Sequence, residues 1–157
     1  MKHIESALLL YPHQLFAVEH LPKVDIVYVI EDPLFFGTDV EYPVAFHKQK
    51  LILHRASMRR YVEEQLWANE IDVEYLELAD IQNSGEVLSH AQKAGAEIVY
   101  MFDVCDFALE TRLQEALSIN VEAPFELRVL PSPSFMLKKG EVEEFFANKS
   151  NHLKSSN

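Results

Sequence analysis

The sequence predicts an α/β fold: a Rossmann-like, doubly wound sheet of five parallel strands in the order 3-2-1-4-5, with helices on both faces. Three observations lead there. Short apolar runs alternate along the chain with segments of helical period. Strands that alternate with helices pair in parallel through crossover connections. The 157 residues also suit one compact domain with a sizeable core.

The elements follow in order. Ile4–Tyr11 (IESALLLY) and Asp25–Glu31 (DIVYVIE) read as the first two strands, the second rich in Val and Ile. From His47 to about Asn69, Leu51, Met58, Val62 and Leu66 recur every three, four or seven residues, which predicts a long helix over Phe46–Asn69. Ile71–Leu78 (IDVEYLEL) alternates apolar and charged residues, the pattern of an edge strand with one face less buried. Ser84–Ala94 predicts a helix with Ser84 as N-cap and Gly95 just past its end. Ala96–Phe102 (AEIVYMF) is a buried fourth strand, and Phe107–Ile119 an amphipathic helix with Leu109, Leu113 and Leu117 one turn apart. Phe125–Leu130 completes the sheet, and Gly140–Asn148 reads as a short final helix. The domain therefore spans residues 1–148, followed by a frayed polar tail over 149–157.

Composition narrows the function. A net charge of −11 disfavours binding to nucleic-acid phosphates by this domain alone. The single cysteine, Cys105, excludes an internal disulfide framework and fits a reducing compartment. No run approaches the ~18 apolar residues of a membrane span, and Glu5 interrupts any signal-like start. The expectation is a cytoplasmic domain with no membrane partner. The four glycines, Gly37, Gly85, Gly95 and Gly140, leave no glycine-lined turn from strand to helix to cradle a pyrophosphate, which argues against an NAD enzyme or an NTPase. No G-x-S-x-G elbow occurs. Cys105 has no neighbouring base to activate it, so a buried, inert thiol is its expected state. His47 and His54 share a helix face and with His13 would approach a metal, but the i, i+4 pair usual in helical metal sites is missing and no metal is expected.

In a sheet of this order the ligand crevice opens at the carboxyl ends of the first and fourth strands. The residues that follow strands are Pro12, His13 and Gln14; Glu31 and Asp32; Asp103 and Asp106; Ser132 and Ser134. Beside them stands an unusual segment, FHKQKLILHRASMRRY, residues 46–61, which is basic within an acidic chain. Arg55 and Arg59 run along one stripe with the acids Glu63 and Glu64, and a solvated face laced with Arg–Glu pairs accounts for Arg59 and Arg60. His47, Lys48 and Lys50 crowd the helix start, where the macrodipole disfavours cations. An anion, a polar ligand or an acidic surface nearby would account for them.

The stretches LLLYPHQLF, VYVIEDPLFFG and FHKQKLILHRASMRRY, continued by MFDVCDFALETRL and LPSPSFML, resemble the amino-terminal domain of photolyase-related proteins. That group contains the prokaryotic iron–sulfur cryptochromes and photolyases, and the resemblance runs to about Asn148. It implies a Rossmann-like domain that holds an antenna chromophore of ribityllumazine type. FAD, an iron–sulfur cluster and the DNA-lesion site would belong to a helical carboxyl-terminal domain of the same protein, which would be this domain's partner and its only route to DNA. One cysteine cannot hold a four-iron cluster. Asp103 matches the acidic position after the fourth strand, and His47 and Lys50 would face the ligand or the helical domain. Where iron–sulfur members commonly show Gly-Asp-Gln after the first strand, this chain has Pro12-His13-Gln14. The acid near the end of their second-strand loop appears here as Phe35 or Phe36.

The expected cofactor-binding set is Pro12, His13, Gln14, Glu31, His47, Lys50 and Asp103, with Phe35, Phe36 and Phe46 as apolar walls and no catalytic residue. Two other readings are a structural docking domain with an empty crevice, and a small hydrolase or nucleotide-binding enzyme using His13 and Asp103.

Overall fold

The computed structural model describes residues 4–104, 106–119, 126–136, 140, 141 and 144. Five strands form one parallel sheet: β1 (Ser6–Leu10), β2 (Ile26–Ile30), β3 (Val73–Leu76), β4 (Ile98–Phe102) and β5 (Glu126–Leu130). The order is β3-β2-β1-β4-β5, as the alternation of strand and helix predicts. The alternating strand β3 does lie at an edge.

Apolar side chains leave the sheet on both faces because central strands have no solvent side. On one face Ala7, Leu9 and Val99 pack against α3 (Glu86–Lys93) and α4 (Phe107–Ile119) through Leu88, Leu109 and Leu113. On the other, Leu8, Leu10 and Val29 meet α2 (Lys48–Tyr61) through Met58 and Tyr61. The connection from β1 to β2 has only a 3-10 turn, Val18–His20. It is pinned where the Tyr61 hydroxyl donates to the Phe16 carbonyl at 2.6 Å and the Phe16 ring meets Phe102 edge-on at 4.9 Å.

Several expectations need correction. The predicted long helix begins at Lys48, one residue after its cap His47, and stays α-helical only to Tyr61. It continues as a π-helical turn, Val62–Leu66, and a 3-10 turn, Trp67–Asn69. In an α-helix a stripe at i, i+4, i+8 drifts round the axis by about 40° per step. The wider turn takes back that drift, so Met58, Val62 and Leu66 are all buried. Ser84 does not cap α3; Gly85 holds that position, and the Ser84 hydroxyl turns inward to Asp32. A Cβ on Gly85 would lie 3.0 Å from the Ala116 methyl, so this glycine lets α3 and α4 approach. It does end a strand-to-helix connection, contrary to expectation, but it serves helix packing. Arg59 reaches across to Glu77 on the loop after β3 instead of Glu63 or Glu64, while Arg60 and Glu64 form the expected i, i+4 pair. Gly95 ends α3 with φ +99°, as predicted. Cys105 and most of the predicted final helix lie outside the described residues.

Candidate functional site

Two groups of polar residues follow the carboxyl ends of β1 and β2, and they differ in how well they are satisfied. After β1 the chain turns at Tyr11-Pro12-His13-Gln14, closed by the Gln14 amide donating to the Tyr11 carbonyl at 2.9 Å. Proline fits the second position of such a turn because its ring presets φ. The turn buries the Tyr11 ring fully, half-buries Pro12, leaves His13 exposed and folds Gln14 inward. The Gln14 Nε2 donates to the Phe102 carbonyl at 3.2 Å, which fixes the amide's orientation and aims Oε1 away from that bond.

After β2 come Glu31 and Asp32, both with no exposed surface. Glu31 receives Arg55 from α2 on both oxygens (Nε at 2.7 Å), the Tyr75 hydroxyl at 2.7 Å and the Leu78 amide at 3.3 Å. Burial alone would raise its pKa, yet these donors hold the carboxylate below its ordinary range. Asp32 caps α1 (Pro33–Phe36): Oδ1 accepts from the Leu34 amide and from the Ser84 hydroxyl, each at 2.9 Å. Its Oδ2 has no partner among the described residues, and burial lifts the carboxyl to about 6.

Asp32 is not alone. Among the described residues, five buried side-chain polar atoms lack a hydrogen-bond partner, and four of them belong to this end: Tyr11 Oη, Gln14 Oε1, Asp32 Oδ2 and His54 Nδ1. Burial, with the Asp32 charge adding to it, drives the Tyr11 hydroxyl well above its normal range. Burial lowers the pKa of both His13 and His54; at His13 the Asp106 charge opposes this and His54 adds to it, while at His54 the Lys50 charge adds to it. Phe35 closes the group, 4.8 Å from the His13 ring and 6.0 Å from Tyr11, while Phe36 packs edge-on against His54 at 6.0 Å.

The remaining expected residues lie elsewhere. His47 is exposed and caps α2, its Nδ1 accepting from the Gln49 amide at 3.3 Å. Lys50 is exposed with Nζ 3.6 Å above the Phe46 ring. At His47 and Lys50 the basic helix start therefore has local explanations: an imidazole nitrogen as N-cap acceptor and a cation on an aromatic face. Asp103 is half-buried and lines a separate small groove with Glu110 and Leu113 of α4 and Val129 of β5. The structure thus keeps His13 and Gln14 on the turn after β1, commits Glu31 to α2 and β3, and gives His47, Lys50 and Asp103 surroundings of their own, although the Lys50 charge still reaches His54.

Sequence reasoning passed over Tyr11 and Asp32 when the set was drawn. Asp32-Pro33 is a capping signal that marks a helix start beside the crevice. Tyr11 carried no such mark, being simply the last residue of an apolar run. A cavity of about 590 Å³ lies between α3, α4 and the loop at 39–41, where Arg112 pairs with Asp39 and Glu41, and the charges of Arg112 and Asp39 reach Asp32. Those pairs hold Asp39 down at about 2 and tie the loop to α4. Among the described residues no cluster of three or more His, Cys, Asp or Glu could hold a metal ion, and no helix is long and apolar enough to cross a membrane.

Residues 8–156 match the family described as deoxyribodipyrimidine photolyase-related protein, nearly the whole chain. The chain belongs to that family. It is also 28% identical over 155 residues to the uncharacterized protein R852 of Acanthamoeba polyphaga mimivirus, covering 93% of this chain and 74% of that protein. Family membership and the parallel sheet agree with what the motifs around Tyr11, Asp32 and Phe46 imply.

Proposed function

We propose that this chain is the amino-terminal antenna or accessory domain of a photolyase- or cryptochrome-like flavoprotein of the iron–sulfur kind, and that its crevice holds a planar chromophore of ribityllumazine type. Its partner is a helical domain of the same cytoplasmic protein, which carries FAD and the iron–sulfur cluster and meets DNA. The observation that carries the reading is the set of unpartnered polar atoms on Tyr11, Gln14, Asp32 and His54 beside the aromatic wall of Phe35. Buried polar groups are nearly always hydrogen-bonded, and a cluster that is not calls for a ligand or ordered water. A pocket with apolar walls and a few polar anchors suits an aromatic ring whose job is to absorb light rather than to react. Family membership supports the link to photolyase chemistry. Apolar side chains exposed just past β4 and β5, with Phe107 at 80% and Met136 at 100% exposure, suit the docking of a second domain near this mouth.

The test is fluorescence titration of 6,7-dimethyl-8-ribityllumazine into the protein and into Gln14→Leu and Tyr11→Phe variants. Saturable micromolar binding, weakened several-fold in both variants, is expected. Binding equal in all three would remove these residues from the site. No binding, alone or with the helical domain, would leave a docking domain with an unused crevice.

A further inference from the structure

The open sheet ends at β3 on one side and β5 on the other, and among the described residues each of these has a neighbouring strand on one side only. Backbone parity shows which groups each edge presents. The Glu126 N–H donates to the Glu97 carbonyl and the Leu130 carbonyl accepts from the Asp103 N–H, each at 2.8 Å, so Glu126, Arg128 and Leu130 turn their peptide groups toward β4. Those of Leu127 and Val129 point to the open side. Side chains alternate too. Leu127 packs on the α4 face of the sheet, with Val129 beside it and 56% exposed. Glu126 and Arg128 share the other face, both exposed and paired with each other at 2.8 Å.

The two edges respond differently to a second copy of themselves. In β3 the Asp72 and Leu76 carbonyls accept from the Val27 and Glu31 amides, so Val73 and Tyr75 carry the outward peptide groups. Antiparallel pairing about a two-fold axis at Val73 would set Asp72 against Glu74, and an axis at Glu74 would set that residue against itself. Like charges facing each other across strands are repulsive. Arg59 also lies across this edge, 3.6 Å over the Tyr75 ring. At β5 the pattern is reversed. An axis at Leu127 lets its outward N–H and C=O bond to those of its copy, and it places Glu126 opposite the other copy's Arg128 on both sides of the axis. These flanking positions are non-hydrogen-bonded pairs, whose Cα atoms approach to about 4.5 Å and whose side chains lie closest. The pair within each strand is kept, so the four side chains form a square of alternating sign. An axis at Arg128 would oppose two guanidinium groups, and one at Glu126 two carboxylates. We propose that two copies of this chain join edge to edge through antiparallel β5 strands, about a two-fold axis at Leu127, to make one continuous sheet. A net charge of −11 on each copy opposes the association and the edge is short, so the dimer is weak and reversible. It does not depend on what the crevice holds.

Sedimentation velocity of the full chain, from about 10 to 500 μM in roughly 0.15 M salt, tests the pairing and should show a reversible monomer–dimer equilibrium. Arg128→Glu gathers four carboxylates at the seam and should raise the dissociation constant at least about tenfold. The charge swap, Glu126→Arg together with Arg128→Glu, rebuilds the alternating square and should return the constant to within about threefold of wild type. Both substitutions fall on exposed side chains, and circular dichroism checks that each variant is folded. Amide hydrogen exchange at Leu127 should slow as the dimer forms. A wild-type chain that stays monomeric at the highest concentration would overturn the proposal. So would a dimer that Arg128→Glu leaves unchanged, one that the charge swap fails to restore, or one whose formation leaves exchange at Leu127 unaltered.

Discussion

Glu31 and Asp32 are adjacent in sequence, both carboxylates, both fully buried at the end of β2, yet their surroundings are opposite. Glu31 points to the α2 face and finds four donors from three other parts of the chain. Asp32 uses one oxygen to cap α1 and hold Ser84, and leaves the other without a partner. Successive side chains of a strand leave on opposite faces, so one step along the chain separates the two environments. The difference teaches where to look for function. A buried charge with every lone pair filled is a structural clamp, whereas a buried acceptor with nothing to accept is a place the fold alone does not complete.

Breaking the clamp should have the largest effect. Arg55→Ala leaves the Glu31 carboxylate buried with only Tyr75 and Leu78 as donors. Removing one partner of a buried pair typically costs about 3–5 kcal/mol, and the half-exposed Arg55 places this one near the lower end, about 3 kcal/mol. Urea denaturation measures it, and a loss below about 1 kcal/mol would show that Glu31 is not held as described.

The Asp32 side is sharpened by pH. Its carboxyl is raised from 3.8 to about 6 in the folded protein, so the folded state binds the proton more tightly than the unfolded chain. The destabilisation is full above pH 6 and is relieved as pH falls toward 4, a span of about two pH units worth on the order of 2–3 kcal/mol. Glu31 and Asp39, whose values are lowered, contribute stability above the ordinary carboxylate range and lose it as pH falls through their folded values. His13 and His54, whose values are lowered, oppose the Asp32 trend as pH falls below about 6.5. Comparison with Asp32→Asn cancels these other groups. That variant should be more stable than wild type at pH 7.5 by about 2 kcal/mol and lose its advantage near pH 4; a pH-independent difference would sink the assignment.

The same substitution made on the two sides should then give opposite results. Tyr75→Phe removes a hydroxyl that donates to a charged carboxylate and should cost about 1.5–2 kcal/mol. Tyr11→Phe removes a hydroxyl with no partner and should leave stability unchanged or raise it by up to about 1 kcal/mol. Equal losses would erase the distinction between clamp and crevice. The smallest effects belong to the helix start: His47→Ala and Lys50→Ala each remove an exposed local contact and should cost at most about 0.5–1 kcal/mol.

Much of this was legible in the sequence, and the limits follow from range. Period and capping are local, so the helix at Phe107–Ile119, the glycine at Gly95 and the edge character of β3 could be read directly. Strand alternation with connection rules then set the sheet order. Assigning partners was another matter. Glu31 lies 24 residues from Arg55 and 44 from Tyr75, and Arg59 takes Glu77 over the nearer acids Glu63 and Glu64. Local spacing ranks nearby pairs first, but a surface i, i+4 pair is worth only a few tenths of a kcal/mol and yields easily to a tertiary alternative.

The sequence by itself determined the fold, the family and which residues follow the carboxyl ends of the strands, because these depend on periodicity, composition and motifs spread along the whole chain. The tertiary structure alone decided which polar groups there are used up and which are left over. His47, Lys50 and Glu31 turned out to have partners, while Tyr11, Gln14 and Asp32 retain atoms that have none. Satisfaction is a sum over every donor and acceptor that folding brings within 3 Å or so of an atom. No stretch of sequence contains that sum until the strands and helices have been packed together.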